Sequence, residues 1–219
     1  MSGHLDAPSL EALAGLLAGT FPGSNDAPLA RALLRELTRG EPVSDAALAA
    51  SSGRTEHDVT ETLVRWPNVR RDDHGRIEAF GGLSLQPTEH RFEVGGRRLY
   101  TWCAWDTLFL PALLDEHAEV ESTCPMTAAD VRLTVGPQRV LTSHPEDIWV
   151  SFPLPARTAT ANIMESFCCH VHFLAGQEVA ARWVNGHEGT LALDLDDAFE
   201  LGRLATRAMS GQRGGSGVP

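Results

Sequence analysis

The chain has 219 residues, 42% of them hydrophobic, which is enough for one large domain or two small ones around a buried core. No stretch approaches the ~20 apolar residues of a bilayer span, and the first residues lack the basic segment of an export signal, so a cytoplasmic protein without membrane contact is expected. All 18 basic residues are arginine, set against 29 acidic ones for a net charge of -11, which disfavours nucleic acid as a partner because its binding relies on cationic surface.

In chain order, a leucine stripe (Leu5, Leu10, Leu13, Leu16, Leu17) predicts a helix over 4–20, and Leu29, Leu33, Leu34 and Leu37 predict another over 26–39. Asp26 is placed to cap the second helix and Gly40 to end it. Ser44 opens a short helix, Gly53 turns the chain, and Val59, Leu63 and Trp66 share a face of a helix over 55–66. Segments 69–71 and 76–80 flank Asp72-Asp-His-Gly75, a hairpin signal. Helix, turn, helix and hairpin form a winged helix-turn-helix-like domain, here given residues 1–85. Residues 1–90 hold 8 arginines against 13 acidic residues, and Glu56, Asp58 and Glu61 stand on the would-be recognition helix. A structural or substrate-covering domain is therefore expected rather than a DNA reader.

The second domain is given residues 86–210. Segment 91–100 predicts a hairpin about Gly95-Gly96. A helix follows over 104–114, with Pro111 inside it, then strands over 118–122, 131–135, 148–152 and 166–174 and helices over 179–187 and 196–209. Strands punctuated by few helices indicate an α+β fold with a mixed-sheet α/β second domain. The Gly-rich stretch 211–219 is expected to be a disordered tail.

Chemistry concentrates at four cysteines, Cys103, Cys124, Cys168 and Cys169, which suit reduced thiols better than a disulfide scaffold. In Tyr100-Thr-Trp-Cys-Ala-Trp-Asp-Thr-Leu108, Cys103 lies at a strand-to-helix junction, where free N–H groups and the helix dipole are expected to lower its thiol pKa. Asp106, three residues on, falls beside it on one helical face. The same pattern also fits a buried cysteine beside a capping aspartate. In Ser166-Phe-Cys-Cys-His-Val-His-Phe173, strand alternation would place Cys168, His170 and His172 on one face and Phe167, Cys169, Val171 and Phe173 on the other. The first face suits soft-metal chemistry. Alternatively Cys169 fills the core, or Cys168, His170 and His172 hold zinc with a fourth ligand such as Cys124, although the spacing matches no usual zinc pattern. Cys124, with no acid or base beside it, is expected to be a packing cysteine.

At these residues the sequence resembles the organomercurial (alkylmercury) lyases. The resemblance runs through 97–108, Pro111-Ala-Leu113 and 166–173, and more weakly through the N-terminal half. It implies a winged-helix-like domain without DNA function joined to a catalytic domain of the family's own type. The family's two catalytic cysteines and one aspartate fall on Cys103, Cys168 and Asp106, which are also the implied ligands of substrate and product mercury. Cys169 matches a second vicinal cysteine outside catalysis, and Cys124 a structural one. Trp105, between the pair, departs from the family and is expected to narrow the pocket.

The implied reaction is protonolysis of R–Hg–X to R–H and Hg(II), in mercury detoxification. No organic cofactor is expected, Hg(II) being the bound product. Free thiols sustain turnover, and small cellular thiols or a mercuric reductase would take the Hg(II). A dry pocket lined by Trp102 and Trp105 would keep Asp106 protonated, above the ~3.9 of a free aspartate. Two other readings are a mercury carrier of the same fold without lyase activity and a winged-helix metal-responsive regulator.

Overall fold

A computed structural model describes residues 9–18, 26–154 and 166–209; the tail at 211–219 and both ends of the 4–20 stripe lie outside them. Four helices open the described chain: α1 (Leu10–Ala18), α2 (Ala27–Leu37), α3 (Asp45–Ser52) and α4 (Glu56–Arg65). The N-caps expected at Asp26 and Ser44 form, whereas α2 ends at Thr38 rather than at Gly40. Asp26 accepts the Leu29 N–H, Ser44 that of Ala47 and Thr55 that of Asp58, and Gly53 ends α3 in the left-handed region. Arg54 forks onto the Asp26 carboxylate at 2.5 and 2.8 Å, joining the α3–α4 turn to the start of α2. Leu29, Leu33, Leu37, Leu48 and Val59 are fully buried.

The hairpin of β1 (Arg70–Arg71) and β2 (Ile77–Phe80) follows, its turn closed by Asp72, which accepts the N–H groups of His74 and Arg76. It does not stand free as a wing. Gly81 and Gly82, both at positive φ, turn the chain into β3 (Leu83–Ser84), which pairs with β5 (Arg97–Thr101). The wing is thus one end of an eight-stranded antiparallel sheet. Its order is β1-β2-β3-β5-β4-β6-β7-β8, with β4 (His90–Val94), β6 (Ala118–Thr123), β7 (Asp130–Val135) and β8 (Val140–His144). The β4–β5 hairpin turns at Gly95-Gly96, both at positive φ, as a two-residue loop matched to strand twist requires.

A second sheet has β9 (Ile148–Pro153) between β10 (Phe173–Ala175) and β11 (Thr190–Asp194). The helices α5 (Asp106–Leu114), α6 (Gln177–Gly186) and α7 (Leu195–Met209) complete the α+β fold, with α7 packed on α1 and α5. Among the described residues no helix is long and apolar enough to cross a membrane.

One expected element is overturned. Segment 166–174 is not a single strand: Cys168–His170 forms a 3₁₀ turn, and strand pairing begins at Phe173. Bonds from His170 N–H to Phe167 O and from Val171 N–H to Cys168 O close the turn locally. Ser151 of β9 then clamps its exit, donating its hydroxyl to His170 O at 2.8 Å and accepting the His172 N–H at 2.9 Å. The alternation of faces therefore fails at the cysteines. Cys168 is buried and Cys169 exposed, so Cys169 does not fill the core.

Candidate active site

The Cys103-to-Asp106 step is shaped before any substrate enters. Thr101 ends β5 and donates its hydroxyl to Cys103 O at 2.9 Å. The backbone N–H of Cys103 donates to Asp106 Oδ2 at 2.9 Å, folding the carboxylate back over the turn that starts α5. The helix begins at Asp106 rather than at Ala104, and the Ala104 N–H donates instead to Val171 O at 3.2 Å. That bond ties the β5–α5 junction to the exit of the Cys168 turn, joining residues 67 apart in sequence. As a result one ligand atom each from Cys103, Asp106 and Cys168 lies within 4.8 Å of the others, and all three residues are buried.

A third segment closes the site. Gly82, at φ +95°, lies against Asp106 so tightly that a Cβ there would stand 2.6 Å from the carboxyl carbon and from Oδ1. Its carbonyl accepts the Trp102 N–H at 2.9 Å. Gly82 is the site residue that sequence reasoning missed. The Gly81-Gly82 pair marks a turn, but only the pairing of β3 with β5 brings that turn to Asp106.

Electrostatics follow from burial. Desolvation raises Asp106 to about 7, against hydrogen bonds from the Cys103 thiol and from the Cys103 and Trp102 N–H groups, as expected of a dry pocket. The expectation for Cys103 is reversed: burial pushes its thiol well above the usual range, helped by its hydrogen bond to Cys168 and by the Asp106 charge. The Asp106 carboxylate takes the Cys103 N–H, and the Asp106 N–H, which does favour the thiolate, is outweighed by burial. For Cys168 the hydrogen bond with Cys103 pulls down, yet burial and the charges of Asp106 and Cys169 leave it raised. Cys103 thus shifts and is shifted by both Asp106 and Cys168, whose ligand atoms lie within 4.8 Å of its own.

The tryptophans differ. Trp105 is almost wholly buried, its ring set edge-on to Phe109, Phe152 and Phe167, and its indole N–H donates to Ala198 O of α7 at 3.0 Å. It braces Phe167, the residue before Cys168, and so supports the site from behind rather than narrowing its mouth. Trp102 keeps a buried indole N–H without a partner among the described residues.

The zinc set considered above is divided by the fold. Cys168 groups with Cys103 and Asp106, His172 with Glu89 and His90, and Cys124 is buried in a small cluster with Leu174, Val179 and Ala180. Burial, and the proximity of His172, lower His90 to about 3, so its ring is neutral.

Comparison with known proteins adds the following. Residues 83–206 match the family model described as alkylmercury lyase, and residues 10–81 that of the helix-turn-helix domain of alkylmercury lyase. The chain is 42% identical over 175 residues to an alkylmercury lyase of Staphylococcus epidermidis, covering 80% of each chain. It is 44% identical over 172 residues to one of Pseudomonas putida, covering 78% of this chain and 80% of that one. It is 41% identical over 179 residues to one of Streptomyces lividans, covering 82% of each. A crystal structure of the mercury-bound form of MerB2 shares the fold with a TM-score of 0.72 at 23% identity, covering 91% of this chain and 98% of that one.

Proposed function

We propose, for a chain that belongs to the alkylmercury lyase family and is a carbon–mercury lyase, that Cys103, Cys168 and Asp106 together cut the carbon–mercury bond of R–Hg–X and protonate the carbon. The observation that carries this reading is the buried cluster of two thiols and one carboxyl, whose ligand atoms lie within 4.8 Å of one another.

Substrate enters as a thiol adduct, R–Hg–SR′. One site thiol displaces R′S–, its proton leaving with R′SH, and R–Hg is held on that cysteine. The second thiol adds to mercury and passes its proton to the Asp106 carboxylate. Two sulfur ligands push electron density toward the Hg–C bond, and Asp106 returns the proton to the departing carbon. The products are R–H and Hg(II) bridged by Cys103 and Cys168, with Asp106 again a carboxylate. The proton relay through Asp106 stays within one assembled site, which is the advantage of holding acid, thiol and leaving carbon together. With its pKa near 7, Asp106 can both take a proton from a mercury-bound thiol and give it up. No organic cofactor enters this scheme. Small cellular thiols or a mercuric reductase remove the Hg(II), and the protein works in the cytoplasm.

The test is benzene release from phenylmercury with excess thiol, followed by gas chromatography. The native chain releases benzene over many turnovers. Cys103→Ala, Cys168→Ala and Asp106→Ala each lose at least ~10²-fold in rate, as removal of a positioned acid–base partner does. Near-native benzene release by any of the three would overturn the assignment.

A further inference from the structure

A second group of metal-ligating side chains lies outside the cysteine cluster. Glu89 and His90 stand at the head of β4, and His172 one residue before β10, with one ligand atom of each within 4.8 Å of the others. His172 Nε2 is 3.0 Å from the carbonyl oxygen of Cys169. A carbonyl can only accept, so Nε2 carries the ring proton and Nδ1 is left with a bare lone pair. That Nδ1 is buried and has no hydrogen-bond partner. It faces Glu89 Oε2 at 3.9 Å, so two acceptors confront each other with nothing to donate between them. The second imidazole, His90, is buried and held through Nδ1 by Ser122 Oγ at 2.8 Å. An imidazole whose outer N–H is tied to a backbone carbonyl or hydroxyl, with its other nitrogen turned toward a carboxylate, is how proteins present histidine to a metal.

We propose that Glu89, His90 and His172 bind one divalent cation of the zinc class. Two imidazole nitrogens and a carboxylate oxygen, with no thiolate among them, suit borderline ions such as Zn²⁺ and Co²⁺ rather than mercury. The cation fills the gap between the facing acceptors, and the exposed Glu89 side chain can swing inward to shorten it. Its position gives it a structural task. His90 pairs in register with Thr101, two residues before Cys103, whereas His172 leads away from the Cys168 turn toward the second sheet. A bound ion therefore clips together the two chain segments that carry the reacting thiols.

Co²⁺ titration of the full-length reduced protein tests this, because thiolate ligation gives an intense sulfur-to-metal charge-transfer band and a nitrogen–oxygen site does not. One equivalent of Co²⁺ is expected to give ligand-field absorption without that band. The absorption should persist in Cys168→Ser, be displaced by Zn²⁺, and vanish in His172→Ala. Affinity should fall at least tenfold in Glu89→Gln, a substitution on an exposed side chain that leaves the fold intact. In parallel, Zn²⁺ should raise Tm in the native chain and in Cys168→Ser but not in Glu89→Gln. Absence of the band-free absorption at millimolar Co²⁺ would overturn the proposal and leave a simple Glu89–His172 ion pair. So would absorption that carries the charge-transfer band and disappears with Cys168→Ser or Cys169→Ala, or equal binding by His172→Ala and the native chain.

Discussion

The role proposed for Asp106, protonation of carbon, calls for a dry place, and burial supplies one at a cost to stability that depends on pH. Its folded pKa of about 7 lies above the ordinary 3.8, so its stabilising contribution is complete below about pH 3.8 and drains as pH rises toward 7. His90 has the opposite sign. Its folded value of about 3 lies below 6.5, so its contribution is complete above pH 6.5 and is lost as pH falls. Between about pH 4 and 6.5 the two slopes, each about 1.4 kcal/mol per pH unit, oppose one another. Asp106→Asn removes one of them. Urea denaturation should then show the variant gaining stability relative to the native chain by about 1 kcal/mol per pH unit across this window. A difference that does not change with pH would contradict the origin assigned to the Asp106 shift. Gly82 makes a sharper prediction. A methyl group there meets the Asp106 carboxyl at 2.6 Å and must also adopt φ +95°. Since a misplacement of 1 Å in a reacting group can cost ~10²-fold, Gly82→Ala should lose about that factor in benzene release while still folding, as circular dichroism can check.

At the scale of elements, two helix N-caps, the turn after α3 and the β4–β5 turn were legible because each depends on residues within a few positions: Asp26, Ser44, Gly53 and the Gly95-Gly96 pair. Three strands were not, the first being β3, only two residues long. β8 is mostly exposed and β11 only half-buried, so neither carries the alternation that marks a strand, and each is recruited by the neighbour it pairs with. The Cys168 turn was misread for a related reason. Its apolar pattern suits a strand, yet Ser151 of β9, a residue distant in sequence, takes the backbone groups that a ladder would use. The packing of α5 on α7 is equally nonlocal and makes a testable contact. A Cβ at Gly202 would lie 3.0 Å from Phe109 Cβ and 3.3 Å from Trp105 Nε1. Gly202→Val should therefore destabilise the protein by about 1–3 kcal/mol through overpacking, read as a lower urea midpoint at unchanged slope.

For the whole molecule, the helix-turn-helix region and the region bearing the thiols share one sheet. β3 pairs with β5, and the Gly81-Gly82 turn touches Asp106, so the first region supplies part of the wall of the candidate site. A continuous sheet and a joint core imply one cooperative unit. Trp66 reports on the first region and Trp102 and Trp105 on the second, so fluorescence and far-ultraviolet circular dichroism should give coincident urea transitions. Two separate transitions would show that the shared sheet does not couple them. The acidic face of α4, with Glu56, Asp58 and Glu61 exposed, fits a helix kept for packing.

Legible in the residues alone were the atoms available for chemistry, two cysteines and an aspartate in two specific motifs, and the local caps of the first helices. Those are properties of side-chain type and short-range spacing. Tertiary structure decided how the atoms are tuned and where they meet. Burial reversed the expected ease of ionising Cys103, Ser151 turned a strand into the 3₁₀ bend that buries Cys168 and exposes Cys169, and the β3–β5 pairing brought Gly82 against Asp106. Each of these depends on a group far away in the chain, because desolvation and close approach are set by what surrounds a residue in space rather than by what precedes it in sequence.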